Sequence, residues 1–411
     1  MEALHQMKIK RKLYYFGFYV DEEHIKEREP IMSPATTAKM AYIADCLANC
    51  FDVIIVSPGF SSAIGKFSSK VVSESRRKVI YLPSKGDGKK FLSLRKVFFA
   101  RARIAEFINK QVDSDSLVLI YSQPWINDLA TKVLKKKDLR YVLELEELHA
   151  TNHKNALFKR ILQRISEKQS IENAESLIVV NDLLKNINKK KSVVCHGKYL
   201  PENFIDSNLY SYDSDQRVNL LYSGGIDYER GIFLLLESLK LMPSHYKKAL
   251  TLQISGYFHG GNSRRIRIVF EERIKDLRDQ GVDVVFHGTI RNEDLDKLVK
   301  KCEICISPQL IENEFSKYSF PSKILFYLTK GKLVISSGIP SVLKSPFSRF
   351  LVLYTRDDPR LLANAIMKAI DGVEDFYTKQ LFKLYKILKD EHNRFSMEVI
   401  QLFHDFITKS T

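Results

Sequence analysis

The stretch YSGGIDYERG (222–231) ends an apolar run with Gly224 and Gly225 and opens a helix near Arg230. Glycine allows the backbone to approach a ligand closely, and the free amides at the start of a helix favour a negatively charged group. This combination is typical of a phosphate-binding turn. A plain tight turn is the alternative interpretation of the two glycines.

A second basic cluster surrounds the start of a helix predicted over 321–330. Ser319 can cap this helix, Pro321 is tolerated in its first turn, and Gly331 can stop it. The residues expected around its opening are Ser316, Lys317, Ser322 and Lys323. The pattern predicts an anion site with Lys323 as a cation, and a solvated surface lysine is the alternative.

The same helix carries an aromatic residue away from its apolar side. At about 100° per residue, Ile324, Leu325 and Leu328 gather on one face, and Phe326 falls almost opposite them. Phe326 therefore needs a partner other than the local core.

These motifs lie in a chain that alternates strands and helices. In the first half, strands are predicted over 12–19, 51–58, 78–83, 116–122, 141–147, 176–181 and 192–197, and helices over 33–49, 89–112, 126–137 and 152–173. Apolar strands alternating with helices indicate a parallel sheet covered on both faces.

The same alternation restarts after a polar segment, 201–217, which is the best linker candidate. Strands are predicted over 218–225, 250–258, 282–288, 303–308, 333–338 and 350–355, and helices over 230–241, 262–279, 292–301 and 321–330. The end of the chain reads as helix. Two doubly wound domains imply a cleft, because ligands bind beyond the carboxyl ends of parallel strands.

The positive charge of the chain is concentrated in its first half. Residues 1–200 contain 35 Lys and Arg and 22 Asp and Glu, a net charge of +13, which leaves +3 of the total +16 for the remainder. Two amphipathic basic helices, 89–108 and 152–169, carry much of this charge. They would suit an anionic membrane surface, and ordinary solvated surface helices are the alternative.

Other classes of protein fit the sequence poorly. The five cysteines are scattered, and Cys302 and Cys305 lack a second pair of ligands, so neither disulfides nor a metal site is expected. No nucleic-acid recognition motif accompanies the basic charge. With no signal peptide and no apolar run of about 18 residues, a cytoplasmic location is expected.

Several stretches of the second half resemble the nucleotide-sugar-binding domain of GT-B glycosyltransferases, nearest the retaining GT4 group and especially bacterial enzymes of capsule, O-antigen or exopolysaccharide assembly. The matching stretches are 222–239, 252–258 with Gly256, 284–308 and 313–337. The first half resembles the acceptor domain of that family more loosely. The resemblance implies an α/β GT-B fold with an acceptor domain over 1–205, a nucleotide-sugar domain over 216–372 and helices over 373–411 that return to the first domain.

The resemblance also assigns roles at the donor site. Arg230 takes the place of the family's phosphate-binding lysine, whereas the arginine that usually lies five residues earlier is Gly225 here. Lys323 is the candidate replacement cation. Such a site stabilises the leaving diphosphate without a metal or another cofactor.

The family's pair of glutamates, eight positions apart, would fall at Tyr318 and Phe326, and neither residue is acidic. Three interpretations stay open. The chain belongs to an active branch with a different sugar contact, Phe326 is simply covered by the returning helix, or the chain is a catalytically silent relative.

The acceptor side of the resemblance rests on VLELEELHA (142–150), where Glu146 aligns with a family histidine and Glu147 follows it. A carboxylate here could act as a general base or stabilise an oxocarbenium ion. The alternative is a polar strand end.

Taken together, the resemblance implies a retaining hexosyltransferase that uses a UDP- or GDP-linked sugar. Its expected acceptor is a lipid-linked or oligosaccharide chain at the inner face of the membrane, where the protein would bind peripherally. A nucleotide-sugar epimerase and a non-catalytic nucleotide-sugar-binding scaffold are the alternatives.

Overall fold

A computed structural model of the chain describes residues 11–28, 34–88, 93–146, 148, 157–185, 187–201, 217–258 and 263–408. The described chain forms two compact units. The first unit contains the residues up to Lys198 and those from Asn393 onward, and the second contains Tyr199–His392.

The first unit is built around a sheet of eight strands in the order β10-β9-β8-β7-β1-β2-β5-β4. Only β4 is antiparallel to its neighbour among the described strands of this sheet. The strands of the unit are β1 (Lys12–Phe16), β2 (Asp52–Ser57), β3 (Gly65–Phe67), β4 (Lys70–Ser73), β5 (Lys78–Tyr81), β6 (Ser84–Gly86), β7 (Leu117–Tyr121), β8 (Val142–Leu145), β9 (Ser176–Val179) and β10 (Ser192–Val194). Its helices are α1 (Glu22–Arg28), α2 (Pro34–Leu47), α3 (Leu94–Gln111), α4 (Pro124–Lys136) and α5 (Leu157–Asn173).

The central strands are apolar because both faces of the sheet are covered. Every residue of β7, LVLIY, is buried, as is every residue of β8 and β9. The sequence did not predict β3, β4 and β6. These three strands are short and, apart from β6, have no buried residue, so they lack the apolar run that marks the others.

The second unit has a parallel sheet of six strands in the order β13-β12-β11-β14-β15-β16. Its strands are β11 (Val218–Ile226), β12 (Leu250–Phe258), β13 (Asp283–Phe286), β14 (Ile304–Ser307), β15 (Leu333–Ser337) and β16 (Leu351–Tyr354). In chain order this is the 3-2-1-4-5-6 arrangement of doubly wound folds, in which the strand order reverses between β11 and β14. The carboxyl ends of those two strands are therefore the expected ligand site.

Helices cover this second sheet and close the chain. They are α6 (Ile232–Lys240), α7 (Ser244–Lys248), α8 (Ser263–Asp279), α9 (Asn292–Lys301), α10 (Ser322–Leu328), α11 (Pro340–Leu343), α12 (Pro359–Asp371), α13 (Val373–Asp375) and α14 (Leu381–Thr408). A short 3-10 turn, Glu314–Lys317, precedes α10.

The predicted domain bounds stay predictions, and the two units meet after Lys198 and between His392 and Asn393. Tyr199 lies in the second unit, where its ring packs against Phe347 with ring centroids 5.9 Å apart. In the same unit, Tyr377 donates a hydrogen bond of 2.7 Å to the Glu303 carbonyl. Residues 202–216 of the predicted linker lie outside the described residues.

The final helix α14 starts in the second unit and ends in the first. Its last part completes the core of the first unit, where Phe395 stacks on Tyr42 with ring centroids 5.7 Å apart and Phe403 contacts Phe51 at 5.9 Å. Across the described residues, no helix is long and apolar enough to span a membrane.

Candidate nucleotide-sugar site

The end of β11 lies close to its neighbour β12 because the two strands have glycine at paired positions. Gly224 is paired in register with Gly256, and a Cβ atom on Gly256 would lie 2.1 Å from the Gly224 carbonyl oxygen. Gly224 itself has φ +139°, a conformation that favours glycine. The structure therefore favours glycine at both positions.

Lys323 of α10 fills the space that a side chain on Gly224 would occupy. A Cβ atom on Gly224 would lie 2.1 Å from Lys323 Nζ. The same nitrogen lies 4.8 Å from the centroid of the Tyr222 ring, within the range of a cation–π contact. Lys323 is thus enclosed at its amine end, although the side chain as a whole is half-buried.

The enclosure changes the acidity of the amine. The pKa of Lys323 is lowered to about 7, chiefly by burial and then by the positive charge of Arg230, while Asp227 opposes the shift. Within the described part of the chain, Lys323 forms no ion pair. A lysine in such a position would be stabilised by an anionic ligand.

The turn between β11 and α6 places Arg230 next to the glycines. Asp227 Oδ1 accepts hydrogen bonds from the backbone amides of Glu229, at 2.9 Å, and Arg230, at 2.8 Å. A Cβ atom on Gly225 would lie 3.9 Å from Arg230 Cγ. The structure thereby brings together Gly224, Gly225, Arg230 and Lys323, all of which the sequence had indicated.

Gly231 fixes where α6 begins. It is left-handed, with φ +75°, and a Cβ atom on it would lie 1.6 Å from the carbonyl oxygen of Pro308 at the end of β14. The start of α6 therefore sits where the strand order of the sheet reverses, and no side chain caps it. The free amides of its first turn can face an anion.

Helix α10 differs from its prediction in length and in its cap. It spans Ser322–Leu328 rather than 321–330, with Pro321 as its N-cap residue and no side-chain cap. Ser319, the predicted cap, instead accepts a hydrogen bond of 3.0 Å from Gln309. Seven residues give a weak helix dipole, so the predicted anion site at this helix end rests on the Lys323 side chain.

Ser316 belongs to the internal support of this region. It is completely buried, accepts a hydrogen bond of 2.9 Å from Gln309 and donates one of 2.5 Å to the Leu310 carbonyl. Lys317, by contrast, is exposed and paired with Glu314. Ser322 and Tyr318 are also exposed, so these two residues and Lys317 do not share the enclosure of the Lys323 amine.

Phe326 is half-buried and lies under a lysine from its own chain segment. Lys330 Nζ is 4.9 Å from the centroid of the Phe326 ring, and the same ammonium forms an ion pair of 3.0 Å with Asp296 of α9. The side of α10 opposite its apolar face therefore has a basic partner in the described structure.

In the first unit, Glu146 follows β8 and forms an ion pair with the nearly buried Lys39 of α2. Glu144, two residues earlier, lies 3.9 Å from Lys39 Nζ and accepts a hydrogen bond from Tyr15. Burial raises the pKa of Glu144 to about 8; the charge of Glu146 adds to the shift and that of Lys39 opposes it. Glu147 lies outside the described residues.

Several residues of these sites were not indicated by the sequence. The sequence could have indicated Asp227, three positions before Arg230, because aspartate often accepts hydrogen bonds from amides two or three residues later in a turn. No sequence pattern points to Tyr222 or Lys39. Lys39 and Glu146 are 107 positions apart, so only the folded chain brings them together.

No protein-family model matches the chain, and no curated protein matches it. Solved structures do match the chain. The structure of sucrose-phosphate synthase from Thermosynechococcus elongatus is similar to it, with 16% sequence identity and a TM-score of 0.68, and the match covers 97% of this chain and 100% of that one.

Two further solved structures are similar to the chain over nearly its whole length. The UDP-forming α,α-trehalose-phosphate synthase from Burkholderia xenovorans, in complex with glucose-6-phosphate, is 10% identical with a TM-score of 0.67 over 96% of this chain and 99% of that one. A structure named "Trehalose-6-phosphate from E. coli bound with UDP-2-fluoro glucose" is 10% identical, with a TM-score of 0.61 over 97% and 98%. At such identities the likeness concerns the fold, and the chain has the GT-B fold of these glycosyltransferases, with two doubly wound domains and a long C-terminal helix.

Proposed function

We propose that the protein is a metal-independent, retaining GT-B glycosyltransferase of GT4-like type that uses a nucleotide diphosphate sugar. The observation that carries this proposal is the enclosed Lys323, which lies against Gly224 with Arg230 nearby and has no acidic partner of its own among the described residues. Two cations and the free amides of α6 form a receptor for a diphosphate. Its position where the strand order reverses agrees with ligand binding in doubly wound folds.

The chemistry follows from this arrangement. When the bond between the sugar and the diphosphate breaks, negative charge grows on the diphosphate, and nearby cations and amides stabilise that charge. The uridine nucleotides named for two of the solved structures support a UDP-linked donor, and a GDP-linked donor is the other candidate. In the first unit, Glu146 is the candidate for contact with the acceptor, held in place by Lys39.

The test is to mix the protein with a panel of nucleotide sugars and to measure both melting temperature and products. A ligand that binds the folded state raises the melting temperature. Slow release of UDP or GDP from one donor supports a transferase. Conversion of the sugar without release indicates an epimerase, and binding without any reaction indicates a scaffold; either of the last two outcomes overturns the proposal.

We further propose that the acceptor is a lipid-linked or polysaccharide chain of a surface glycan, and that the first unit contacts an anionic membrane. Phe98 on α3 is 60% exposed, and Ile161 and Ile165 on α5 are 48% and 50% exposed. Exposed basic residues, Arg95 and Arg164, share these helices. Apolar side chains beside basic ones are typical of helices that rest on anionic lipids.

Not all of the basic residues of α3 are available for this contact. Arg101 forms an ion pair of 2.8 Å with Asp128, and Lys96 forms one of 2.6 Å with Asp87. The apolar residues therefore offer the sharper test. Phe98→Ser combined with Ile165→Ser should reduce sedimentation with phosphatidylglycerol vesicles, whereas Phe382→Ser, which removes a phenylalanine that is 71% exposed in the second unit, should not. Equal sedimentation of both variants would contradict the membrane proposal.

A further inference from the structure

The surroundings of Lys323 offset a positive charge on its amine only in part. Its amine end is enclosed by the Gly224 backbone and the Tyr222 ring. The adjacent turn contributes the like charge of Arg230 and the carboxylate of Asp227. Asp227, however, uses Oδ1 to hold two backbone amides, and its Oδ2 lies 4.0 Å from Arg230 Nε.

The remaining neighbours of this region are neutral at ordinary pH. Tyr222 on β11 and Tyr327 on α10 are both buried, and burial raises the pKa of each phenol. Cys305 on β14 has a pKa raised by burial. The only charges that act on the amine from the described elements around it are therefore those of Arg230 and Asp227, which oppose each other.

We infer that, above neutral pH, the Lys323 amine is largely uncharged in the empty site and takes up one proton from solvent when a nucleotide diphosphate binds beside it and Arg230. This inference rests on the proposed function and adds to it a proton that accompanies the donor. The proton balance is simple. The amine and a solvent proton form an ammonium group when the diphosphate arrives, and the proton returns to solvent when the diphosphate leaves.

The empty site has a reason to hold the neutral amine. An ammonium group enclosed beside Arg230 would be desolvated and repelled, and the lowered pKa of Lys323, about 7, reflects both effects. A bound diphosphate reverses the balance, because two negative charges next to the amine favour its protonated form. Affinity should then fall by up to about tenfold for each pH unit above the midpoint of the free lysine, until the lysine of the complex itself deprotonates.

The experiment is calorimetric titration of the protein with UDP-glucose and, separately, with GDP-mannose. Each titration is run in two buffers that differ in ionisation enthalpy, MES and imidazole at about pH 6 and HEPES and Tris at about pH 8. The two pH values lie on either side of the free lysine's midpoint. The phosphates of a nucleotide sugar are esterified and do not titrate in this range, so the buffer dependence reports on the protein. We expect uptake of nearly one proton per ligand at the higher pH and much less at the lower pH.

Substitutions test whether Lys323 is the residue that takes up the proton. Lys323→Met should abolish the uptake at the higher pH while Arg230 supports weaker binding. Lys275→Met removes an exposed lysine of α8 and should leave the uptake unchanged. Tight binding of either nucleotide sugar with no buffer dependence would overturn the inference while leaving the proposed function in place.

A second measurement covers the case in which neither nucleotide sugar binds, which would count against the proposed function. The pH dependence of Lys323 acetylation by acetic anhydride, followed by mass spectrometry of the free protein, reports directly on the neutral amine. We expect a midpoint near 7 for Lys323, against about 10.4 for an ordinary lysine. A midpoint for Lys323 near that of an ordinary lysine would overturn the inference.

Discussion

The hydroxyl groups of Tyr327 and Ser223 lie 2.8 Å apart and form a buried hydrogen bond. This bond joins α10, which carries Lys323, to β11, which carries Gly224. The two residues are 104 positions apart in the chain, so the bond sets the position of the lysine relative to the glycine.

Tyr327→Phe should therefore weaken both the fold and the donor site. Loss of the hydrogen bond leaves Ser223 without its partner, and we expect the free energy of unfolding to fall by about 1 kcal/mol. Affinity for the nucleotide sugar should fall by a few-fold because Lys323 is held less firmly. Tyr141→Phe is the matched control, because it removes a buried hydrogen bond of the same length, 2.8 Å to the Ser170 carbonyl, in the first unit. It should lower the free energy of unfolding without lowering affinity for the nucleotide sugar. Equal losses of affinity in the two variants, measured by ligand titration beside urea unfolding, would refute this role.

Gly224→Ala should abolish donor binding, whereas Gly225→Ala should fold normally. A methyl group on Gly224 would collide with Lys323 Nζ and would require a backbone conformation that alanine rarely adopts. A methyl group on Gly225 would meet its nearest neighbours, Asp227 and Arg230, at 3.7 Å and 3.9 Å, which are ordinary contact distances. Thermal unfolding and titration with the nucleotide sugar would measure both changes. Normal binding by Gly224→Ala would show that the enclosure of Lys323 is unimportant.

Arg230→Ala and Lys323→Ala should each cost about 1–3 kcal/mol of binding free energy for a nucleoside diphosphate, the range of charge-assisted hydrogen bonds. Lys323→Ala should not destabilise the folded chain, because the desolvated amine forms no ion pair within the described residues. Lys317→Ala, which removes an exposed lysine near Lys323 in the sequence, is the control. Unchanged affinity in both Arg230→Ala and Lys323→Ala would remove the proposed diphosphate site.

Glu144 makes the stability of the chain depend on pH in a defined direction. Its pKa in the folded chain, about 8, lies above the ordinary value of 4.5, so the folded state holds a proton that the unfolded state releases. The contribution of this proton to stability is complete below the ordinary pKa and is lost as pH rises through about 8.

Glu144→Gln should remove this dependence, because glutamine cannot ionise. Relative to the wild type, the variant should gain up to a few kcal/mol in free energy of unfolding as pH rises from about 5 to about 8. Urea unfolding at both pH values measures the gain. Glu172→Gln, in an exposed ion pair with Lys168, should show none. A Glu144→Gln variant that follows the wild-type pH profile would contradict the neutral carboxyl group.

The alternation of strands and helices could be predicted because the central strands are buried on both faces and therefore read as apolar runs. The 250–258 strand and the 292–301 helix were confirmed to the residue. The length of α10 was not predictable in the same way. Gly331 does adopt a left-handed conformation, with φ +70°, but the helix ends three residues earlier, and the Tyr327 carbonyl accepts from the Lys330 and Lys332 amides.

The residue types of the proposed donor site could be named from the sequence, but their environments could not. The sequence indicated Gly224, Arg230 and Lys323 as partners of an anion, while the enclosure of Lys323 depends on Tyr222, about a hundred positions away. Similarly, Glu146 was visible as an acidic residue after a strand. Its ion pair with Lys39 and the unusual pKa of Glu144 arise only from long-range packing.

Because α14 begins in one unit and finishes in the other, the first unit cannot be isolated as one continuous piece of polypeptide. A truncation before Asn393 would remove Phe395 and Phe403, whose rings contact Tyr42 and Phe51. The apolar surface that they cover would then be exposed to water. Dissection of the protein into halves would need a circularly permuted gene, or the missing peptide supplied in trans.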